Sequence, residues 1–259
     1  MIVIHPTEGL CNRLRVVFSY YQKALENNEE LAVIWDVTAQ CNGFFLDCFE
    51  PVEHITFVLN NDQGYQVDYK GYQWCEGYSP YKDHLERNIY QALVPLPYLR
   101  NAIAGRISTL EEKYIAVHIR RTDHSVLARE NNRYTEDSEF HEFIKKNEPR
   151  DLYLATDNYK TQDDFLKRYS ERIKCIKMVR RKSGIATMLS RLGSLLKFSR
   201  PAQEREKSSR NTSVEDAVID LFVCIYADKF MGSGYSSFSN FITYMRKHLN
   251  DTPAQPHST

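Results

Sequence analysis

The feature that most constrains this chain is the run Tyr114-Ile-Ala-Val-His-Ile-Arg-Arg-Thr-Asp-His124, where an apolar segment stops abruptly in a histidine, two arginines and an aspartate. Its length and its β-branched and aromatic content predict a strand near 114–119 buried on both faces, as in a parallel sheet covered by helices. The charges then fall at the strand's C-terminal end, the edge where ligands sit in open α/β sheets. An arginine there presents a planar fork of donors suited to gripping a phosphate or diphosphate in one orientation. The plainer alternative is a surface pair of Arg121 and Asp123 closing the strand.

Two other segments bear on that edge. The chain opens with a short strand, Met1-Ile-Val-Ile-His5, followed by Pro6-Thr-Glu-Gly-Leu-Cys-Asn-Arg-Leu-Arg15 and the apolar run Val16–Tyr21. This reads as strand, glycine turn and helix, with Gly9 allowing close backbone approach and the helix N-terminus facing the crevice. It lacks both the spaced glycines of a dinucleotide fingerprint and the Gly-Lys-Ser/Thr of a P-loop, so neither NAD binding nor ATP hydrolysis is indicated. Near the other end, apolar residues at 214, 217, 218, 221, 222 and 225 follow helical spacing. Asp228-Lys-Phe-Met-Gly-Ser-Gly-Tyr-Ser-Ser-Phe-Ser239 then predicts a strand, a glycine-hydroxyl turn and a last helix. Backbone amides there, with Ser233, Ser236, Ser237 and Ser239, suit phosphate oxygens, and an ordinary helix cap is the alternative.

These residues together resemble the GDP-fucose-dependent fucosyltransferase superfamily, which holds the α-1,2-, α-1,6- and protein-O-fucosyltransferases. The resemblance rests on Gly-Leu-x-Asn-Arg-Leu near the start, His-x-Arg-Arg-Thr-Asp after the central strand, and a late Asp-Leu followed by Gly-Ser-x-x-Ser-Ser-Phe-Ser, in the family's order. It implies an α/β, GT-B-like fold of two Rossmann-like domains facing across a cleft. It also implies transfer of fucose from GDP-fucose to a glycan hydroxyl with inversion and without a metal. Arg120 matches the arginine that contacts the donor β-phosphate and is needed for activity, and Arg121 matches its neighbour. Asn12 matches an asparagine near the diphosphate and fucose, in the turn that carries Gly9. Asp220 matches an acid tied to donor binding, and Ser236 with Ser237 match a hydroxyl pair near the phosphates. His118 matches a histidine beside the nucleotide, with packing of the strand end as the other role. Thr-Asp after the arginines and Cys-Asn-Arg in the first turn depart from the α-1,2 pattern and leave the linkage open. A different nucleotide-sugar donor, or a non-catalytic glycan- or polyanion-binding protein, are the alternative functions.

The chemistry follows from charge. Breaking a sugar–diphosphate bond adds negative charge to the leaving nucleotide, so a fixed cation at the departing oxygen favours the transition state. The sequence holds no Asp-x-Asp element for a metal, and Asp163-Asp164 reads as the first turn of a helix. A general base for the acceptor hydroxyl would come from Glu8, Asp36, Asp123 or Asp157, each of which is also an ordinary turn or capping residue. Asp157 ends the predicted strand 151–155 at the same edge and is kept as a donor-side residue. Tyr72, Trp74, Tyr78 and Tyr81 are acceptor-side aromatics, or core.

The 259 residues suit one large or two small α/β domains. The expected division is 1–110 on the acceptor side, 111–249 on the nucleotide-sugar side, and a loose tail 250–259. Further strands are predicted at 2–5, 31–35, 55–59, 173–178 and 228–232, with a helical region near 81–108 that Pro95 and Pro97 interrupt. Residues 167–210 hold 14 of the 34 Lys and Arg but only three acids. Within them, 182–208 is a candidate for peripheral contact with an anionic membrane, a solvated insertion being the alternative, and no nucleic-acid partner is expected. The six cysteines show no close paired spacing and predict free thiols. With no apolar run of spanning length and a strand opening directly at Met1, the expected location is cytoplasmic, and no cofactor is expected beyond the donor substrate.

Overall fold

A computed structural model of the chain describes residues 1–79, 89–121, 125–178 and 213–249. Its two four-stranded sheets are both entirely parallel. The first, ordered β3-β2-β1-β4, comprises β1 (Ile2–Pro6), β2 (Leu31–Ile34), β3 (Ile55–Val58) and β4 (Tyr69–Gly71). The second, ordered β7-β6-β5-β8, comprises β5 (Ile115–Ile119), β6 (Leu152–Thr156), β7 (Ile173–Lys174) and β8 (Lys229–Gly232). Each order reverses beside its first strand, so the crevice at a topological switch point lies at the C-terminal ends of β1 and β5.

Side-chain alternation along β5 decides what faces what. Tyr114 and Ala116 belong to the large core, while Ile115, Val117 and Ile119 pack with Phe140 and Ile144 in a second cluster. Those two phenylalanine and isoleucine side chains come from α4 (Asp137–Lys146), which is opened by a capping box between Glu136 and Glu139. The short α3 (Ser125–Glu130) precedes it, and α5 (Tyr159–Tyr169) follows β6, capped by the Asn158 side chain.

The large core is shared by both sheets. It gathers α1 (Leu10–Glu26), α2 (Pro97–Ile107), α6 (Val214–Tyr226) and α7 (Ser237–Leu249). Tyr90 is its joint: the ring lies 4.8 Å from Phe18 of α1, and 5.3 Å and 5.5 Å from Phe241 and Tyr244 of α7. The last helix of the chain is thus packed on the first.

Several expectations are corrected. Pro97 does not interrupt a helix but begins α2, where its missing N–H is no loss. The predicted helical region near 81–108 is a 3-10 turn at Ile89–Ala92 followed by α2, and 80–88 lie outside the described residues. β7 stops at Lys174, because the Gln162 amide takes over the ladder by donating to the Ile176 carbonyl and accepting from the Met178 amide. The short edge strand β4 was not foreseen. All six cysteines are buried free thiols. Among the described residues no helix is long and apolar enough to cross a membrane. The segments 182–208 and 250–259 lie outside the described residues.

Because Phe241 bridges the halves through Tyr90, Phe241→Ala is expected to cost about 3–5 kcal/mol. In urea unfolding, tryptophan fluorescence reports only on Trp35 and Trp74 in the first half. Its midpoint should fall together with that of the helical circular dichroism. An unchanged fluorescence midpoint would show that the halves are not joined in this way.

Candidate functional site

The end of β5 is fixed by Ser233. Its amide donates to the His118 carbonyl at 2.9 Å, and its hydroxyl accepts from the Arg120 amide at 2.9 Å. Past this clasp the alternation of β5 continues, so Arg120 falls on the side of Tyr114, Ala116 and His118, and Arg121 on the opposite side.

Arg120 therefore enters the crevice between the halves. There it meets Glu8, Gly9 and Asn12 from the start of α1, Ser213 and Val214 at the start of α6, and Ser237 at the start of α7. Three helix N-termini thus converge beside one guanidinium, that of α6 being closed by a capping box and carrying Glu215 and Asp216 in its first turn. No side chain caps α1, whose N-cap is Gly9, so its first turn is presented to the crevice. Gly9 itself is extended, with φ −75°. The left-handed residue in the turn is Glu8, at φ 69°. Arg120 Nε lies 3.9 Å from Asp157 Oδ2, and Asp157 Oδ1 accepts from the Arg121 amide at 3.0 Å. The acid thus braces the arginine pair.

The crevice opens into a cleft of about 860 Å³ that shares Glu8, Asn12 and Ser237 with it. Arg15, Tyr72 and Trp74 line one wall, and Arg133, Tyr235, Asn240, Thr243 and Lys247 the other. The spacing of 240, 243 and 247 along α7 marks one face of a helix, a signal present in the sequence but masked by the strength of the serine cluster before it. Tyr235 carries φ 55°, so two non-glycine residues in the left-handed region, Glu8 and Tyr235, border the same cleft.

The structure brings Gly9, Asn12, Arg120 and Ser237 together, with Asp157 beside Arg120. His118 lies buried beneath them, its Nδ1 2.7 Å from the Ser239 hydroxyl and its ring 4.6 Å from Phe238. This is the packing role left open by the sequence. Ser236 is also buried, with its hydroxyl facing the Ser239 amide at 3.4 Å as a helix cap.

Arg121 does not line this crevice but shares a small cavity with Arg120, Ser233 and Tyr235. It donates to the Thr135 carbonyl and to Asp137, and lies over the Tyr134 ring at 4.6 Å. Asp220 lies in the core between α6 and β6, accepting from the Tyr153 hydroxyl at 2.6 Å. Of the four carboxylates considered as a base, Glu8 lines the cleft, Asp36 is paired with His5 at 2.7 Å, and Asp157 is engaged as above. Asp123 lies outside the described residues. Of the acceptor-side aromatics, Tyr72 and Trp74 line the cleft and Tyr78 donates to Glu26 at 2.6 Å. Tyr81 lies outside the described residues. No group of three or more His, Cys, Asp or Glu suited to a metal ion occurs among the described residues.

Two buried groups around the site titrate in opposite senses. Burial pushes the Asp220 carboxyl up to about 7 from 3.8, against the lowering effect of the Tyr153 hydroxyl. Burial first, and then the charge of Arg120, pushes the His118 imidazole down to about 3 from 6.5. Folded Asp220 holds a proton that the unfolded chain releases, so its contribution to stability falls as pH rises from 3.8 to about 7. Unfolded His118 takes up a proton that the folded chain refuses, so its contribution falls as pH drops from 6.5 toward about 3. The two slopes oppose one another where the windows overlap. Asp220→Asn is expected to make urea midpoints fall more steeply with acid than in the parent, and His118→Gln to make them fall less steeply. Identical pH profiles in parent and variants would contradict both assignments.

Comparison with family models and with curated proteins finds no match. Among solved structures, the chain is similar to NodZ α-1,6-fucosyltransferase co-crystallised with GDP, with a TM-score of 0.60 at 12% identity, covering 93% of this chain and 91% of that one. It is similar to POFUT1 in complex with GDP, with a TM-score of 0.58 at 11% identity over 97% and 96% of the two chains. It is likewise similar to POFUT1 in complex with GDP-fucose, with a TM-score of 0.57 at 10% identity over 97% and 95%. The chain has the GT-B-like fold of these fucosyltransferases, two Rossmann-like units with parallel sheets.

Proposed function

We propose that this protein is a glycosyltransferase that moves fucose from GDP-fucose to a glycan hydroxyl with inversion, without a metal, using the 111–249 half for the donor and the 1–110 half for the acceptor. The observation that carries the reading is the position of Arg120 at the switch point of the second sheet, where three helix N-termini converge. As the bond between the sugar C1 and the β-phosphate oxygen breaks, its electron pair stays on the nucleotide. Arg120 and the helix ends offer positive charge to that oxygen without having to reorganise. Asn12, Ser237 and the backbone of Gly9 complete the cradle, and Asp157 orients the guanidinium. Two of the solved structures of the same fold hold GDP and one holds GDP-fucose, which supports this donor over another nucleotide sugar.

Inversion needs the acceptor hydroxyl to attack the face of the sugar opposite the diphosphate while a base takes its proton. Glu8 borders both the donor crevice and the wider cleft, and we assign it that role. Its left-handed backbone supports the assignment, since such strain persists where surrounding structure enforces it. Arg121 and Asp220 support the donor site by holding the end of β5 and α6 in place.

Arg120→Ala is expected to lower kcat for fucose transfer by about a hundredfold or more, as when one transition-state donor is removed. Arg120→Lys should recover little, since a point charge lacks the fork. Glu8→Gln should abolish transfer while the protein still binds GDP by calorimetry. Near-native turnover in Arg120→Ala, or no binding of GDP to the parent protein, overturns the reading.

A further inference from the structure

The wide cleft carries more positive charge than a neutral sugar needs. Arg15, Arg133 and Lys247 line it against one carboxylate, Glu8. Arg15 is built into the wall, while Arg133 and Lys247 are exposed side chains at its edge. Arg15 is buried, lies 5.5 Å over the Trp74 ring and donates to Asn12 Oδ1. Arg133 belongs to a loop seated on Gly234, where an added Cβ would come within 2.1 Å of the Arg133 carbonyl oxygen. The same loop is tied by the Gly234 amide donating to the Thr135 hydroxyl at 2.8 Å. Lys247 projects from the face of α7 that also presents Asn240 and Thr243 to the cleft.

Between the cations stand aromatic faces, Tyr72 at 49% exposure and Tyr235 at 36%. An aromatic ring with an apolar face and a polar rim is the surface on which a sugar ring stacks. Neutral hydroxyls are satisfied by amides and hydroxyls such as those of Gln73, Asn240 and Thr243, and do not require three cations. Guanidinium and ammonium groups converging on one space instead match a carboxylate, sulfate or phosphate.

We propose that the wide cleft binds an anionic saccharide, a glycan bearing at least one carboxylate, sulfate or phosphate group, as the acceptor. Calling it the acceptor rests on the transferase reading, but its binding does not, and binding is measured without donor. The test is a glycan panel in which each neutral glycan is matched with its sialylated, sulfated, phosphorylated and uronic-acid counterparts, probed with the full chain. Some matched pairs should show the anionic member binding at least about tenfold more tightly, as for hydrogen bonds to a charged group. That preference should shrink at high salt and largely disappear in the double variant Arg133→Gln, Lys247→Gln. Equal binding within every pair, no binding at all, or a preference that survives the double variant overturns the proposal. Loss of GDP affinity in that variant would also overturn it, by placing these cations on the donor. Failure of the transferase reading is seen separately, as absence of GDP binding to a parent protein that still selects anionic glycans.

Discussion

The bridge that Ser233 makes across β5 and β8 determines the character of the site. Its amide donates to the His118 carbonyl, one residue before the end of β5, and its hydroxyl accepts from the amide of Arg120. The pleat is thus kept regular up to the point where charge begins. One residue of slip would exchange the faces of the two arginines. Arg120 would then meet the aromatic wall of Tyr134 and Phe140, and Arg121 the crevice. The pair is chemically the same residue twice, and only strand register distinguishes the one that lines the crevice from the one that packs on α4.

Asp157 braces both arginines: one carboxylate oxygen lies 3.9 Å from Arg120 Nε, and the other accepts from the Arg121 amide. Three helix N-termini around the same space add positive potential, which raises the cost of placing a cation there and also the gain from admitting an anion. His118, buried one layer below and kept neutral, adds no charge to that field; its hydrogen bond to Ser239 ties the end of β5 to the first turn of α7.

What the sequence disclosed follows from how strongly each pattern is forced. β1, β5 and the succession α6, β8, α7 were legible because apolar runs of strand length end there in glycine, serine or charge. The three residues of β4, an edge strand with no buried run, carry no such signal. Asp220 reads as a site residue from its place in the motif, but in α6 it falls among Leu221, Val223 and Cys224, and helical geometry takes its side chain into the core toward Tyr153. Arg121 follows Arg120 in the motif, but residues adjacent in a strand face opposite ways, so its guanidinium packs on Tyr134 and Asp137. Arg133 and Lys247 were missed because each stands alone in the sequence, and only the docking of the Gly234 turn and the face of α7 bring them to one cleft.

The position of α7 explains how the crevice and the wide cleft are held at fixed separation. Its first turn closes the crevice beside Arg120, its middle lines the wide cleft, and its apolar side packs through Tyr90 onto α1, whose own first turn carries Asn12. The two walls of the cleft thus belong to helices that share one core rather than to bodies meeting only at a ligand. An interior packed at crystal-like density transmits displacement instead of absorbing it. A change of volume at Phe18, Tyr90 or Phe241 would therefore be felt as a change in the distance between Glu8 and Arg120. The separation of these two side chains is set by hydrophobic packing well below them.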